Sequence, residues 1–429
     1  MALPRQTQVL VAGAGPVGLT AALVLAELGV EVEIIDEEWR ASVHNYALAL
    51  HPATLAVLDS VGVAETLLAE GRRVRSVSFW EGGEKHAAVD LRSLDGPFPF
   101  ALVVPQSRLE NALEARLREK GIRVQWDHRL AAFKDTGDGV TATVNRLERV
   151  SGGYAAASSL SAVAKTLSVR AGFLIGADGH HSLVRRQLRA AFDKVGEPSL
   201  FGVFELLGGT DPGDEARVVL RDESSSALWP MGGERVRWTF QLRDAADLLA
   251  RPESFRAVVQ IGQRAYPRVA ESLLSELLTE RAPWFGPTVA DVTWSVAVRF
   301  EQRLASRFGA SRAWLAGDAA HLARPLGMQS MNVGIREARD LAEAAADAVR
   351  DTLLPERLER WTEERNEEWR TLLSGALGFR AAAGAPAWVE RHLARIPECV
   401  PASGPDLDAL LGQLDIERRP FSLRPGDGA

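Results

Sequence analysis

Four residues near the start of the chain have the types and spacing to hold a diphosphate. Gly13, Gly15 and Gly18 interrupt Val9-Leu-Val-Ala-Gly13-Ala-Gly15-Pro16-Val17-Gly18, and Asp36 closes the run Val30-Glu-Val-Glu-Ile-Ile-Asp36. The charge-free apolar run reads as a buried parallel strand, and Pro16 stands where the first turn of a helix tolerates a missing N–H. Gly13 permits a tight turn, Gly15 lets backbone approach a pyrophosphate, and Gly18 lets helix and strand pack closely. The phosphates would then sit at the positive end of the helix, with Asp36 accepting from ribose hydroxyls. The glycine spacing alone is weak, but strand, glycines, helix, second strand and terminal acid in this order define a dinucleotide site without saying which dinucleotide.

Two more carboxylates follow apolar runs: Asp178-Gly179 after Phe173-Leu-Ile-Gly-Ala, and Gly317-Asp318 after Ala313-Trp-Leu-Ala. Ligands of open α/β sheets lie beyond the carboxyl ends of the strands, so Asp178 is expected at the cofactor crevice rather than in a plain turn. For Asp318 a helix N-cap is the alternative, since Ala-Ala follows. His180-His181 and His321 lack partners at ligand spacing. No metal site is expected.

These residues need a scaffold. At 429 residues the chain exceeds one ordinary core, so two domains and an appendage are expected. The predicted class is α/β: a Rossmann-type nucleotide-binding domain interleaved with a β-sheet substrate domain, plus C-terminal helices. The first comprises residues 1–75, 101–190 and 300–350, the second 76–100 and 191–299, and the helical segment and tail 351–429. A helix is expected over 53–62 and another opening at Gln106-Ser107-Arg108, with Ser107 as its cap. The β-rich runs 124–150 and 167–175 suggest a small antiparallel sheet. Short strands at 201–206, 216–220, 227–229 and 235–242 precede two helical stretches. A long helix is expected over 333–350, then helix to about 373 and near 387–396, after which prolines and glycines take over.

A net charge of -7, with Lys and Arg dispersed, argues against a nucleic-acid partner. The single cysteine, Cys399, excludes an internal disulfide framework and fits a reducing compartment. There is no leader-like start and no run of membrane-spanning length. A cytoplasmic monomer or homodimer with a small-molecule substrate is the expectation.

With three nucleotide-side elements in place, the sequence resembles the class A flavoprotein monooxygenases, the p-hydroxybenzoate hydroxylase-like FAD enzymes. GAGPVGLTAALVLAELG, GADGHHSLVR and WLAGDAAH stand in the family's order and spacing across about residues 5 to 350. The resemblance implies that Gly13, Gly15, Pro16, Val17, Gly18, Asp36 and Glu37 hold the ADP half of a non-covalent FAD. It implies that Gln106 and Arg108 touch phosphate and ribitol, that Asp178 lies by the pyrophosphate and the path of the nicotinamide donor, and that Asp318, after Gly317, accepts from a ribitol hydroxyl. Pro325, Gly327, Met328, Gln329, Ser330, Met331 and Asn332 would form the loop beside the isoalloxazine, with a helix N-terminus near Asn332 facing its pyrimidine edge. His321 belongs to the motif and is expected to orient loop backbone, while His180-His181 is expected to be a solvated helix start. Tyr46, Trp229, Arg299 and Arg324 are candidate pocket residues, although tryptophans such as Trp229 are more often core. No catalytic base is assigned.

Three departures stand out: Tyr46 where relatives commonly carry arginine, Met328 and Ser330 where they carry glycine, and Glu337 in place of the usual aspartate. The implied reaction is reduction of FAD by NADPH or NADH, addition of dioxygen at flavin C4a, and transfer of one oxygen from the hydroperoxide to an aromatic or polycyclic small molecule. A halogenase is a rival, but its Trp-x-Trp-x-Ile-Pro stretch is missing. Alkene reduction, which leaves oxygen unused, and a non-catalytic flavin-binding role are the others.

Overall fold

The computed structural model describes residues 3–39, 48–151, 159–208, 211–243, 258–261, 264–286, 291–350 and 355–419. Tyr46, one of the expected pocket residues, lies outside them.

The apolar run at the start forms β1 (Gln6–Ala12), whose last four residues are buried. It pairs in parallel with β2 (Val32–Ile35) on one side and with the strand Ser159–Gly176 on the other. That strand pairs in parallel with Ala313–Leu315. The register sets Ala12 opposite Gly176 and Ile35, and Gly176 opposite Leu315. All four strands therefore stop at one level, which brings Gly13, Asp36, Asp178 and Gly317-Asp318 to a common edge although they are far apart in sequence.

Helix α1 (Pro16–Glu27) buries Gly18 to Leu25 without interruption. Each fully buried leucine contributes about 2 kcal/mol of apolar transfer. The long helix Gln329–Arg350 crosses α1 closely, so a Cβ on Gly334 would stand 2.9 Å from the Val17 side chain. This helix starts four residues before the expected Val333.

The expected antiparallel sheet is continuous with the parallel one. Ser159–Gly176 first pairs antiparallel with Val140–Ser151, which pairs with His128–Asp135, and then runs on beside β1.

A second sheet has eight strands in the order His321–Leu322, Val292–Ala305, Phe192–Leu207, Arg235–Leu242, Ser224–Gly232, Glu215–Arg221, Ser76–Glu81 and Glu84–Asp90. One face, with Phe204, Trp238 and Phe240, is covered by Leu274 and Leu277 of the helix Glu271–Arg281. Along the other, Val203, Val296 and Val298 cluster with Tyr266, Trp294 and Phe300. Of the two helical stretches expected here, Glu271–Arg281 is one; residues 244–257 lie outside the described residues.

The C-terminal part holds more structure than expected. After the helices Pro355–Leu373, Ala387–His392 and Ile396–Cys399 comes a further helix, Pro405–Gly412, and the strands Phe379–Ala381 and Ile416–Arg418 pair. Pro405 opens a helix rather than ending one, because the first turn has no use for its missing N–H, and Leu407, Leu410 and Leu411 are buried behind it. The α/β class is as the sequence indicated. No helix among the described residues is long and apolar enough to cross a membrane.

Candidate active site

A cavity of about 430 Å³ opens between the common edge of the parallel sheet and the second sheet. Gly15, Pro16 and Val17 line it from the turn before α1, Ala177 and Gly179 from the second strand end, and Asp318 from the third. Val298, Phe300 and Tyr266 face them.

The glycines divide their work as the spacing predicts. Gly13 has φ +103°, and a Cβ on it would lie 2.1 Å from the Ala177 carbonyl oxygen. A Cβ on Gly18 would lie 1.9 Å from the Gly13 oxygen. One on Gly15 would meet no atom within 4 Å, because that position faces the cavity. Gly15 also caps α1 without a side-chain hydrogen bond, leaving the amides of the first turn free for an anion.

Asp36 accepts from the Ala14 amide at 2.6 Å and the Glu38 amide at 2.8 Å. It thereby braces the glycine turn, while burial pushes its carboxyl above the usual range. Glu37 is exposed beside it. Asp178 accepts from the Leu183 and Val184 amides at 2.7 and 3.1 Å through Oδ2. Its Oδ1 is buried without a partner among the described residues, and burial raises this carboxyl too. An orphaned buried acceptor is costly unless a hydroxyl-bearing ligand completes it.

Gln106 lines the cavity and donates to Glu110 at 2.7 Å. Arg108 stands apart from it: its side chain is 62% exposed and reaches Glu70 at 3.4 Å. Ser107 falls inside the first turn of the helix Gln106–Glu119, whose N-cap is Pro105. Gly317, at φ +64°, turns the chain so that Asp318 faces the cavity, where it accepts from Ser330 Oγ at 2.7 Å. Asp318 sits within the short helix Gly317–Ala319 and makes no cap bond, so the N-cap alternative does not describe it.

The loop that follows splits in two. Pro325, Met328, Ser330 and Met331 line the cavity. Gly327, Gln329 and Asn332 turn away from it. A Cβ on Gly327 would come within 2.4 Å of the Glu398 carbonyl oxygen, and the Gly327 carbonyl accepts from His51 Nε2 at 2.7 Å. Burial holds this imidazole neutral, with its pKa down at about 3. Gln329 donates to the Val400 and Ala402 carbonyls, both at 2.9 Å, and Asn332 to those of Ala49 and Met328. The loop is thus bolted to the C-terminal segment, whose role its own sequence did not disclose.

Of the expected pocket residues, Arg299 and Arg324 line the cavity. Arg324 spans to both oxygens of Glu398 at 3.2 Å. Trp229 does not: it is 1% exposed and packed in the core, where its ring finds apolar partners. Ahead of the helix Leu183–Gln187, His181 is exposed as expected, while His180, its side chain 36% exposed, also lines the cavity with its Nε2 3.6 Å from Glu301. His321 holds a side chain rather than loop backbone, bonding Glu337 at 2.7 Å with both residues fully buried. Tyr266, Val298, Phe300 and Glu301 were missed. The alternation Trp294, Val296, Val298, Phe300 was the available signal for an apolar sheet face. Among the described residues no group of histidine, cysteine and acidic side chains could hold a metal ion.

Comparison with known proteins fits this geometry. A family model for the FAD binding domain matches residues 6–375. The chain belongs to this FAD-binding family. It is 30% identical over 370 residues to a 6-methylpretetramide 4-monooxygenase of Streptomyces rimosus, covering 86% of this chain and 60% of that protein. It is 28% identical over 376 residues to the para-nitrophenol 4-monooxygenase of Pseudomonas sp. (strain WBC-3), covering 84% of this chain and 82% of that one. Among solved structures, the OxyS anhydrotetracycline hydroxylase from Streptomyces rimosus matches with a TM-score of 0.62 and 26% identity, over 92% of this chain and 70% of that one. The chain thus spans about 60% of the length of the first of these relatives.

Proposed function

We propose that the protein is an FAD-dependent monooxygenase that consumes NADPH or NADH and inserts one atom of dioxygen into an aromatic or polycyclic small molecule. The observation that carries this reading is the cavity itself. A diphosphate cradle at Gly15 and the residues flanking Asp178, Ala177 and Gly179, lie at one side, and an apolar sheet face at the other.

The residues fit FAD: the turn at Gly13–Gly18 and the free amides of α1 would take the pyrophosphate, Asp36 and Asp178 hydroxyls of the ADP half, and Asp318 a ribitol hydroxyl. When bound, FAD supplies the electron transfer and oxygen activation, which no side chain can provide. The chain's part is placement, dryness and charge. Met331 and Pro325 border the cavity from the loop side and Val298 and Phe300 from the sheet side, so apolar surface faces the site from both sides. The N-terminus of Gln329–Arg350 adds free amides that favour negative charge nearby. Arg299 and Arg324 are the cavity's guanidinium groups, and we assign them to orienting the substrate. A cytoplasmic setting, where NAD(P)H is at hand, goes with this reading.

The test is NAD(P)H oxidation followed with and without phenolic and polyketide-like compounds. Stimulation that depends on dioxygen supports the proposal. Equal turnover without dioxygen would instead mark an alkene reductase.

A further inference from the structure

Glu337 is fully buried on the long helix Gln329–Arg350, away from the cavity lining. Its carboxylate is nevertheless fully engaged. Oε2 accepts from His321 Nε2 at 2.7 Å and from the Gly317 amide at 3.1 Å, and Oε1 accepts from the indole N–H of Trp369 at 2.7 Å. Trp369 stacks on His321 with ring centroids 3.7 Å apart. A buried carboxylate costs several kcal/mol unless its oxygens are bonded, and here three donors from two separate segments meet that need. Burial opposes the charge, but His321, Trp369 and Gly317 together hold the carboxyl below its ordinary range.

The donors show what the group is for. Gly317 is the residue at φ +64° that turns the chain into Asp318, and a Cβ there would strike Val17 at 2.8 Å, so the turn has little room to relax. Glu337 grips its amide from below. The glutamate spans from the helix to Gly317 and to Trp369 on Pro355–Leu373 together.

We infer that Glu337 is a positioning residue: through the Gly317 amide and His321 it fixes the turn that presents Asp318 to the cavity, and through Trp369 it ties that turn to the helix Pro355–Leu373. The inference rests on the reading of Asp318 as an FAD ligand.

A double-mutant cycle on FAD affinity, measured by titrating the apo-protein and following flavin fluorescence, separates the two. Glu337→Gln keeps the shape but sets an amide against three donors. It should weaken FAD binding by about tenfold, the loss of one charge-assisted hydrogen bond's worth of placement. In the Asp318→Ala background the same change should cost less than about twofold, because nothing remains to be placed. Trp369→Phe removes the indole donor together with part of the buried ring stacked on His321 and serves if Glu337→Gln does not fold; its loss of affinity should likewise vanish when Asp318 is absent. Losses that simply add overturn the positioning role and leave the FAD site standing. Unchanged affinity in Asp318→Ala would overturn the ligand reading and the inference with it.

Discussion

Ser330 Oγ donates to Asp318 Oδ1 at 2.7 Å, so a side chain standing where relatives commonly have none grips the carboxylate that faces the cavity. Asp318 therefore has one acceptor site occupied from within the protein and others open for a ligand hydroxyl. Asp318→Ala should weaken FAD binding by about tenfold, as expected for one hydrogen bond to a charged group. Ser330→Ala should change it by less than about threefold, since the carboxylate itself is retained. Flavin fluorescence titration checks both, and a denaturant curve matching the parent's would show the scaffold intact.

Met328 is held at φ +57° and is buried, the residue 6% exposed. A left-handed backbone costs a non-glycine residue about 1 to 2 kcal/mol, whereas losing a buried methionine side chain costs about 2 to 5. Met328→Gly should therefore lower stability by about 1 to 3 kcal/mol, and Met328→Val by more, because branching adds strain. Combined with Ser330→Gly, the change should shift the rate of reduction by NAD(P)H or the substrate range more than FAD affinity. Stopped-flow reduction and thermal unfolding measure the two effects; lost stability with unchanged kinetics would remove this loop from the pocket.

His51 gives the protein an acid sensitivity of known sign. Unfolded, its imidazole takes up a proton near pH 6.5, whereas folded it does so at about 3. The unfolded chain therefore binds the extra proton across that window, and stability falls as pH falls through it by about 1.4 kcal/mol per unit. Asp36 and Asp178, raised by burial, act in the opposite direction, so the contrast with His51→Gln isolates the effect. Denaturant unfolding at pH 7 and 5 should show a larger loss for the parent than for His51→Gln.

The Arg324–Glu398 pair fastens the cavity loop to the C-terminal segment, with side chains 21% and 12% exposed. Removing one member of a buried pair leaves an uncompensated charge and costs about 3 to 5 kcal/mol. Glu398→Ala should approach that loss, while adding Arg324→Met should recover part of it. Urea melts of the two single variants and the double variant read the coupling directly.

What the sequence disclosed and what it withheld divide along contact range. Gly13 turns at φ +103° and Gly18 packs on the Gly13 oxygen, demands that arise within one βα turn. Strand, glycines and helix in that order therefore mark them, although Gly13 also abuts Ala177 at the end of a distant strand. The carboxylates at 36, 178 and 318 could be placed at one edge because parallel strands end together. Gly327 abuts Glu398, Gln329 reaches Val400 and His321 bonds Glu337; each depends on a partner brought by tertiary packing, which no local pattern encodes. Trp229 shows the converse: its residue type suits a pocket and a core equally, and only packing decides.

The central claim, oxygen insertion beside FAD, is tested most directly by mass spectrometry of the product formed under ¹⁸O₂ with NAD(P)H and an aromatic substrate. One labelled oxygen atom per product molecule is the expected result, with peroxide release falling as product forms. Label arriving only from water, or reduced product formed equally well without dioxygen, would contradict it.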